Sequence, residues 1–373
     1  MRVIPNLGLD FDPDVPIEGE KQERAFFRGF MEVFLGALKI AYLVASNELS
    51  GGLRVVLQQA EELADRGHSI TIVCPNEEPD WYSLRKPGWE TSPFESSKAL
   101  EFADVCVATF WTTVPPAVGI CSRPVFHLCQ GYEADFSFYA SKRREIKSVY
   151  AQPTHKLAVS PNIEKRLKAA GYAPVTYIGQ AFDPQEFPVA EERRFNQHPP
   201  RILLVGIFGA DVKGIREALE ALAELQRSGV EFKLHRVSPL PQSEREHNIF
   251  PAHDYSHRLL PSQMGAAYRN SDLLIGPSHP EEGFGLPVLE ALSSGLPVLL
   301  SDTPGHRHIA RDAAAYFPWG DISTLASQIA ALLQNPARRA ELSAKGPIEA
   351  TRFRTADVAD RLLGVFTKAL ARP

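Results

Sequence analysis

The sequence predicts an α/β protein of two doubly wound domains, each a parallel sheet covered by helices, that face each other across a cleft. From Lys39 onward, short apolar runs alternate with longer amphipathic runs, which is typical of the strands and helices of parallel sheets. A proline-rich and charged segment, residues 177–200, interrupts the alternation, which then begins again. The length of 373 residues suits two domains of ordinary size.

The first series of apolar runs predicts one sheet. Its buried strands are expected at residues 39–46, 69–75, 103–110 and 124–130. The segment GGLRVVLQQAEELADRGH (51–68) joins the first two strands, has apolar residues near helical spacing and ends with Gly67 as a stop signal. The segment HDYSH (253–257), much later in the chain, has two histidines but no carboxylate–histidine spacing that suggests a zinc site, and it is expected to be a loop.

The second series predicts a second sheet of the same kind. Strands are expected at residues 201–208, 230–238, 272–278 and 296–302, and helices at 215–229, 262–270 and 286–295. The predicted domains are an N-terminal extension (1–38), a first domain (39–190), a second domain (191–354) and a C-terminal helix (355–373) that packs back on the first domain. Ligands of such sheets bind beyond the carboxyl ends of the strands.

The N-terminal extension contains a predicted helix, GEKQERAFFRGFMEVFLGALK, with four phenylalanines. Two interpretations stay open: a helix at a membrane surface, or a helix packed on the first domain or on a second subunit. Its acidic and basic residues balance, which favours packing. The basic run SKRREIKSVY (141–150) is expected to be a solvated helix face, with an anionic acceptor or a membrane surface as the alternative.

Charge and cysteine usage exclude some classes of protein. With 23% charged residues and a net charge of −5, the chain has no basic domain for nucleic acid. No signal peptide and no run of ~18 apolar residues is present. We expect a cytoplasmic protein, with peripheral contact at the inner face of the membrane left open. The four cysteines lack a C-x-x-C pair and are expected to be buried free thiols rather than disulfides or metal ligands: Cys74, Cys106, Cys121 and Cys129.

The segment HPEEGFGLPVLEALSSGLPVL, His279 to Leu299, carries the strongest functional pattern. Gly283 and Gly285 leave the backbone bare, and a proline follows where a helix begins, so free amides and a helix dipole are available to a phosphate. Glu282 lies in the loop, and Glu290 lies about one turn into the helix. Ionised carboxylates accept two hydrogen bonds and suit the vicinal diols of a sugar or a ribose. A sugar nucleotide has both diols and a diphosphate.

This segment resembles the donor-site signature of the retaining family 4 glycosyltransferases, which have the GT-B fold. Their E-x(7)-E motif matches Glu282 and Glu290, and the resemblance extends over residues 38–370. SGGLRVVLQQAEELADRGHSITIV, with Gly51 and Gly52 in its loop, looks like the family's first strand–loop–helix unit. IGQAFDPQEF looks like the linker motif, and VKG (212–214) looks like the family's lysine–glycine pair.

The resemblance implies that a sugar passes from a nucleotide-diphosphate sugar to a glycan, lipid-linked or small-molecule acceptor with retained configuration, without a metal or cofactor. Glu282 and the amides of Gly283 and Phe284 would hold the donor sugar. Gly285 and Leu286, and Gly51 and Gly52 of the first loop, would also bind the donor, and Glu290 would hold the ribose. Lys213 would neutralise the leaving diphosphate, because a fixed cation stabilises the charge that develops there.

Two departures from the family pattern bear on the site. The family has an arginine after the glycine of its first C-domain strand, but here Ile207 follows Gly206. Arg216, one helical turn beyond Lys213, is a candidate substitute. Where many members have a histidine, this chain has Gln130, followed by an x–aromatic–glutamate sequence similar to that of polysaccharide-building members, including rhamnosyltransferases. We expect Gln130 to contact the donor sugar or the acceptor.

Two histidines and three alternative functions complete the predictions. His127 is expected to be a satisfied core histidine, and His279 is a candidate for lining the donor pocket. A nucleotide-sugar epimerase on the same fold would need acid–base groups around the sugar, and none can be assigned. A non-catalytic partner subunit that retains a nucleotide-sugar site stays open because of the missing arginine. A dinucleotide oxidoreductase is disfavoured, because no G-x-G-x-x-G follows the first strand.

Overall fold

The computed structural model describes residues 36–189, 193, 195 and 198–371. The predicted Phe-rich helix lies outside the described residues, as does part of the predicted connection 177–200. The first part of that connection is not an exposed linker, because Ile178, Phe182 and Phe187 are buried.

The first domain contains a sheet of seven parallel strands. They are β1 (Lys39–Leu43), β2 (Ser69–Cys74), β3 (Gly88–Thr91), β4 (Val105–Ala108), β5 (Val125–Cys129), β6 (His155–Ala158) and β7 (Val175–Tyr177). Their order is β3-β2-β1-β4-β5-β6-β7. The four strands predicted from the sequence are confirmed as β1, β2, β4 and β5. The sequence does not predict β3, β6 and β7, because none of them is an apolar run: β3 and β7 are only partly buried, and β6 begins with a histidine and a lysine.

The second domain contains a sheet of six parallel strands. They are β8 (Arg201–Val205), β9 (Lys233–Ser238), β10 (Asp254–His257), β11 (Leu273–Gly276), β12 (Val298–Ser301) and β13 (Ala315–Phe317). Their order is β10-β9-β8-β11-β12-β13. The expectation of a loop at 253–257 is wrong, since β10 pairs in parallel with β9. This edge strand is only half-buried, so its polar side chains are tolerated. Two parallel sheets covered by helices confirm the predicted fold class.

Thirteen α-helices cover the sheets within the described residues. They are α1 (Gly51–Asp65), α2 (Lys98–Phe102), α3 (Val114–Ile120), α4 (Arg143–Tyr150), α5 (Pro161–Ala169), α6 (Ile215–Arg227), α7 (Glu244–Ile249), α8 (Pro261–Arg269), α9 (Leu286–Ser293), α10 (Pro304–Ala310), α11 (Ile322–Leu333), α12 (Pro336–Ala350) and α13 (Thr355–Leu370). Serine or threonine begins several of them; the hydroxyl of Ser50 accepts the Leu53 N–H at 3.1 Å before α1.

The last helix, α13, packs on the first domain. Phe366 is fully buried, and its ring centroid lies 4.7 Å from that of Phe126 on β5. Arg66, just after α1, forms an ion pair with Asp360. The chain therefore crosses to the second domain and returns.

The cysteines depart from the prediction. Cys106 on β4 and Cys121 after α3 form a disulfide, with Cα atoms 6.7 Å apart, so the expectation of free thiols is wrong for this pair. Cys74 and Cys129 are buried and free, as predicted. The sequence gives no signal for the pair, because only the packing of α3 beside β4 brings the two residues together.

Candidate functional site

The predicted site lies beyond the carboxyl ends of three neighbouring strands of the second sheet. β8 leads into the loop that ends at Lys213, β11 leads into the segment with Glu282, and β12 leads through Asp302 and Thr303 into α10. In a parallel sheet these ends share one edge, where ligands of doubly wound domains bind.

Lys213 and Glu282 form an ion pair at this edge. Lys213 Nζ donates to Glu282 Oε1 at 2.8 Å. Gly214, with a φ of 61°, fixes the loop that carries the lysine, because a Cβ at this position would lie 2.1 Å from the carbonyl oxygen of Pro277. The other carboxylate oxygen, Glu282 Oε2, is buried and has no hydrogen-bond partner within the described part of the chain. The pair thus combines a fixed cation with a free acceptor.

The turn from Gly283 to Gly285 contacts the first domain. A Cβ on Gly283 would lie 1.8 Å from the carbonyl oxygen of Gln130, so only glycine fits while the domains touch. The carbonyl of Gly283 accepts a hydrogen bond from Ser160 Oγ at 3.0 Å. Gly285, with a φ of 94°, caps α9, which has a proline in its first turn as predicted. Phe284 is buried beside this turn.

Gly51 and Gly52 lie across the same contact. Gln130 Nε2 donates to the carbonyl of Gly52 at 3.0 Å, and a Cβ on Gly51 would lie 3.0 Å from the side chain of Leu286. The N-termini of α1 and α9 therefore approach each other. Both ends carry free N–H groups and partial positive charge, so an anion between them is favoured.

Glu290 is buried and bonded on both carboxylate oxygens. Oε1 accepts from Arg54 at 2.6 Å, and Oε2 accepts from the hydroxyl of Tyr268 at 2.6 Å. Burial raises the pKa of Glu290, and the charge of Arg54 opposes that rise. Each carboxylate oxygen can accept a second bond, and the contact of Glu290 with a ribose stays a prediction.

Arg54 is the principal residue that sequence reasoning missed. Its guanidinium also pairs with Glu186 and lies 4.9 Å from the ring centroid of Phe187. A cation in the first turn of a helix is electrostatically disfavoured. The position of Arg54 near the start of the predicted helix was therefore the one feature of the sequence that could have indicated a special role. Tyr268 carried none, because a tyrosine on a helix is ordinarily a core residue.

A buried polar cluster lies behind Gln130. His127 is buried as predicted, but the expectation that it is satisfied is wrong, because neither ring nitrogen has a partner among the described residues. Its ring packs on Tyr150, with centroids 4.6 Å apart, and burial lowers the pKa of His127 to about 3. Glu133 accepts the Tyr150 hydroxyl at 2.5 Å, and burial raises the pKa of Glu133 to about 7.

Arg216 and His279 have partners other than the Lys213–Glu282 pair. Arg216 is half-exposed, lies 4.0 Å from Glu220 and stands over the ring of Phe208. His279 Nε2 lies 2.9 Å from Glu217 Oε1, a hydrogen bond that raises the pKa of His279. The donor-binding roles of Arg216 and His279 stay predictions.

Sequence reasoning also missed His306, in the first turn of α10. Its Nδ1 lies 2.9 Å from the carbonyl oxygen of Ser301, and its ring lies near Gly276 and Gly285. The one feature of the sequence that could have indicated His306 is its position shortly after the end of a predicted strand, where ligands bind.

The described residues form neither a metal-binding cluster nor a helix that could span a membrane. Across residues 36–371, apart from the gaps named above, no three His, Cys, Asp or Glu side chains are grouped to hold a metal ion. Of the helices described above, none is long and apolar enough to cross a membrane.

Comparison with known proteins finds sequence similarity mainly in the second domain. Residues 188–348 match the family model for "Glycosyl transferases group 1". Phosphatidyl-myo-inositol mannosyltransferase of Mycobacterium leprae is 33% identical over 103 residues, which are 27% of this chain and 28% of that protein. The alignments with the first curated relatives thus span about a quarter of their length.

Solved structures match nearly the whole fold. Sucrose-phosphate synthase from Thermosynechococcus elongatus superposes with a TM-score of 0.71 at 17% identity, over 89% of this chain and 99% of that chain. Anabaena Alr3699/HepE in complex with UDP and glucose gives a TM-score of 0.71 at 14% identity, over 88% and 99%. These likenesses confirm the predicted GT-B fold.

Proposed function

We propose that this chain, which carries a group 1 glycosyltransferase domain within a GT-B fold, transfers a sugar from a nucleotide-diphosphate sugar to an acceptor hydroxyl. One observation carries the proposal: the Lys213–Glu282 pair stands beside a bare glycine turn where the N-termini of α1 and α9 meet. This arrangement offers a cation and free amides to a diphosphate and a carboxylate to a sugar.

In the proposed reaction the donor's diphosphate lies between the two helix N-termini. The bond from the anomeric carbon to the phosphate oxygen breaks, and its electrons leave with the nucleoside diphosphate. Lys213 stabilises that charge, so the reaction needs neither a metal nor a cofactor. The acceptor oxygen forms the new bond on the same face of the sugar, and its proton passes to a phosphate oxygen of the leaving group. The product therefore retains the donor's configuration.

The remaining roles follow the sequence predictions. Glu282 binds the transferred sugar, Gln130 faces the sugar or the acceptor, and Glu290 binds the ribose. The HepE complex with UDP and glucose supports a nucleoside diphosphate in a site of this fold. The acceptor class is a glycan, a lipid-linked glycan or a small molecule. Cytoplasmic location and contact with a membrane or a second subunit stay predictions.

Thermal unfolding in the presence of nucleotide-diphosphate sugars tests the proposal. A ligand at ~100 times its Kd stabilises a protein by about 2.7 kcal/mol, a shift of several degrees. We expect one donor to shift the Tm of the wild type, the shift to be lost in Lys213→Met, and the shift to persist in the matched control Lys345→Met, whose lysine pairs with Glu341 on the exposed face of α12.

Product analysis then tests the reaction. We expect transfer to continue in the presence of EDTA and the NMR coupling of the product's anomeric proton to match that of the donor. A wild type that binds no donor would remove the glycosyltransferase proposal. An inverted product would remove only the retaining mechanism.

A further inference from the structure

His306 is a buried histidine at the edge of the candidate donor site. Its side chain is only 1% exposed. A Cβ on Gly285 would lie 3.8 Å from its Nε2, and a Cβ on Gly276 would lie 3.8 Å from its Cε1. The imidazole thus lies between the end of β11 and the N-cap of α9. Glu282 is in the segment that joins these two elements.

The hydrogen bonds of the ring fix its tautomer. Nδ1 lies 2.9 Å from the carbonyl oxygen of Ser301, which only accepts, so Nδ1 carries the proton and donates. The hydroxyl of Ser301 is also near Nδ1, but its own proton is donated to the carbonyl of Ser278 at 2.5 Å. Burial lowers the pKa of His306, so the ring is neutral. Nε2 is therefore an acceptor.

This acceptor has no partner within the described part of the chain. His306 Nε2 and Glu282 Oε2 are both buried polar atoms without a hydrogen bond to any described residue. They belong to one neighbourhood, because a Cβ on Gly305, the residue before His306, would lie 3.9 Å from the carbonyl oxygen of Glu282. The charges of Glu282 and Lys213 also act on the pKa of His306, in opposite directions. A buried polar atom without a hydrogen bond costs about 1–3 kcal/mol of folding free energy. Two such atoms at one site therefore indicate that a ligand supplies their hydrogen bonds.

The chemistry of the two atoms defines that ligand. Both accept hydrogen bonds and neither donates, so the ligand must bring two donors. Phosphate oxygens are acceptors and do not meet this requirement, whereas a pair of hydroxyl groups does. The phosphate-binding groups, Lys213 and the free amides of the helix ends, lie beside this position.

We propose that His306 Nε2 accepts a hydrogen bond from one hydroxyl of the transferred sugar while Glu282 Oε2 accepts from another, so that the site selects donors with both hydroxyls and rejects deoxygenated ones. The inference rests on the proposed function and deepens it. A site built to bond a hydroxyl discriminates strongly against an analogue without it, because its own polar groups are left unpaired.

Two substitutions separate this role from a structural one. In His306→Asn the amide N–H replaces Nδ1–H toward the carbonyl of Ser301, but the Nε2 acceptor is lost. In His306→Gln the side-chain oxygen reaches the position of Nε2. We expect His306→Asn to lower the affinity for the sugar nucleotide about ten-fold, by loss of one hydrogen bond, with the affinity for the nucleoside diphosphate alone unchanged. His306→Gln should restore much of the loss.

The control is His308→Asn, the same change two residues along the same helix. His308 packs on the ring of Phe353, with centroids 5.7 Å apart. An equal loss of affinity for the sugar nucleotide and for the nucleoside diphosphate in His306→Asn would mean that the histidine only supports the fold, and would overturn the inference.

Deoxygenated donors give the second arm of the experiment. The wild type should discriminate against the donor that lacks the hydroxyl bound by His306, and His306→Asn should bind that donor and the parent equally, as in a double-mutant cycle. Discrimination that is the same in both proteins overturns the inference and leaves the proposed function standing. A wild type that binds nucleoside diphosphate but gains nothing from any sugar overturns both.

Discussion

Glu133 shows at the residue scale how burial changes the ionisation of a side chain. Its pKa is raised from 4.5 to about 7 by burial. Between these values the unfolded state releases a proton that the folded state retains, so Glu133 should contribute a fall in the free energy of unfolding as pH rises, by up to about 1.4 kcal/mol per pH unit, and this contribution should level off above about 7.

Urea unfolding between pH 4 and 8 measures this slope. Glu133→Gln should remove this share of the slope, because glutamine accepts the Tyr150 hydroxyl without ionising. The exposed Glu101→Gln should leave the slope as in the wild type. A Glu133→Gln protein with the wild-type slope would mean that Glu133 ionises normally in the fold.

Arg54 is buried between two carboxylates, and its loss should be costly. Removing one partner of a buried pair leaves an uncompensated charge, at a cost of about 3–5 kcal/mol. We expect Arg54→Met to lose stability on that order in urea unfolding, and Glu290→Gln in the same chain to restore part of it. Arg216→Met, a half-exposed arginine, should change stability by no more than about 0.5 kcal/mol. Additive losses in the double variant would contradict the coupling.

At the element scale, the Gly283–Gly285 turn joins the two domains. In Gly283→Ala the new Cβ would overlap the carbonyl oxygen of Gln130, which lies in the other domain. The closed contact should therefore be lost while each sheet stays folded. We expect transfer to fall at least 100-fold, since small misplacements of reacting groups cost about that much, with a much smaller loss of stability.

Gly209→Ala is the matched control for this turn. No atom of the described residues lies within 4 Å of a Cβ at Gly209, which is in the loop before Lys213. Its activity should stay close to that of the wild type. Small-angle X-ray scattering should show a larger radius of gyration for Gly283→Ala alone, and an unchanged radius with full activity would contradict the close contact.

At the scale of the whole molecule, the stability of the first domain depends on α13, which follows the second domain in the sequence. Phe366 on α13 is fully buried against Phe126 on β5. Phe366→Ala should destabilise by about 3–5 kcal/mol, as for other buried aromatic rings, with hydrogen exchange rising first in β5 and α1. Ile348→Ala, whose side chain is 69% exposed, should be nearly neutral. Exchange that rises only in the second domain would contradict this assignment.

The sequence by itself determined the strands at the centre of both sheets and the turn before α9. Apolar runs and the glycine–proline spacing are local signals, so β1, β8, β11 and the cap at Gly285 are all predictable. Lys213 and Glu282 were both predicted at the donor site, but their pairing was not, because the order of the strands in the sheet decides which loops are neighbours.

Only the tertiary structure decided which residues from distant segments meet. Arg54 donates a hydrogen bond to Glu290, 236 residues away in the sequence. Gly283 lies against the carbonyl oxygen of Gln130, and Cys106 forms a disulfide with Cys121. The free acceptor of His306 likewise depends on what surrounds its ring, not on its neighbours in the chain. Periodicity specifies which face of an element is buried, whereas the partner on that face is set by how the elements pack, and this chemistry depends on those partners.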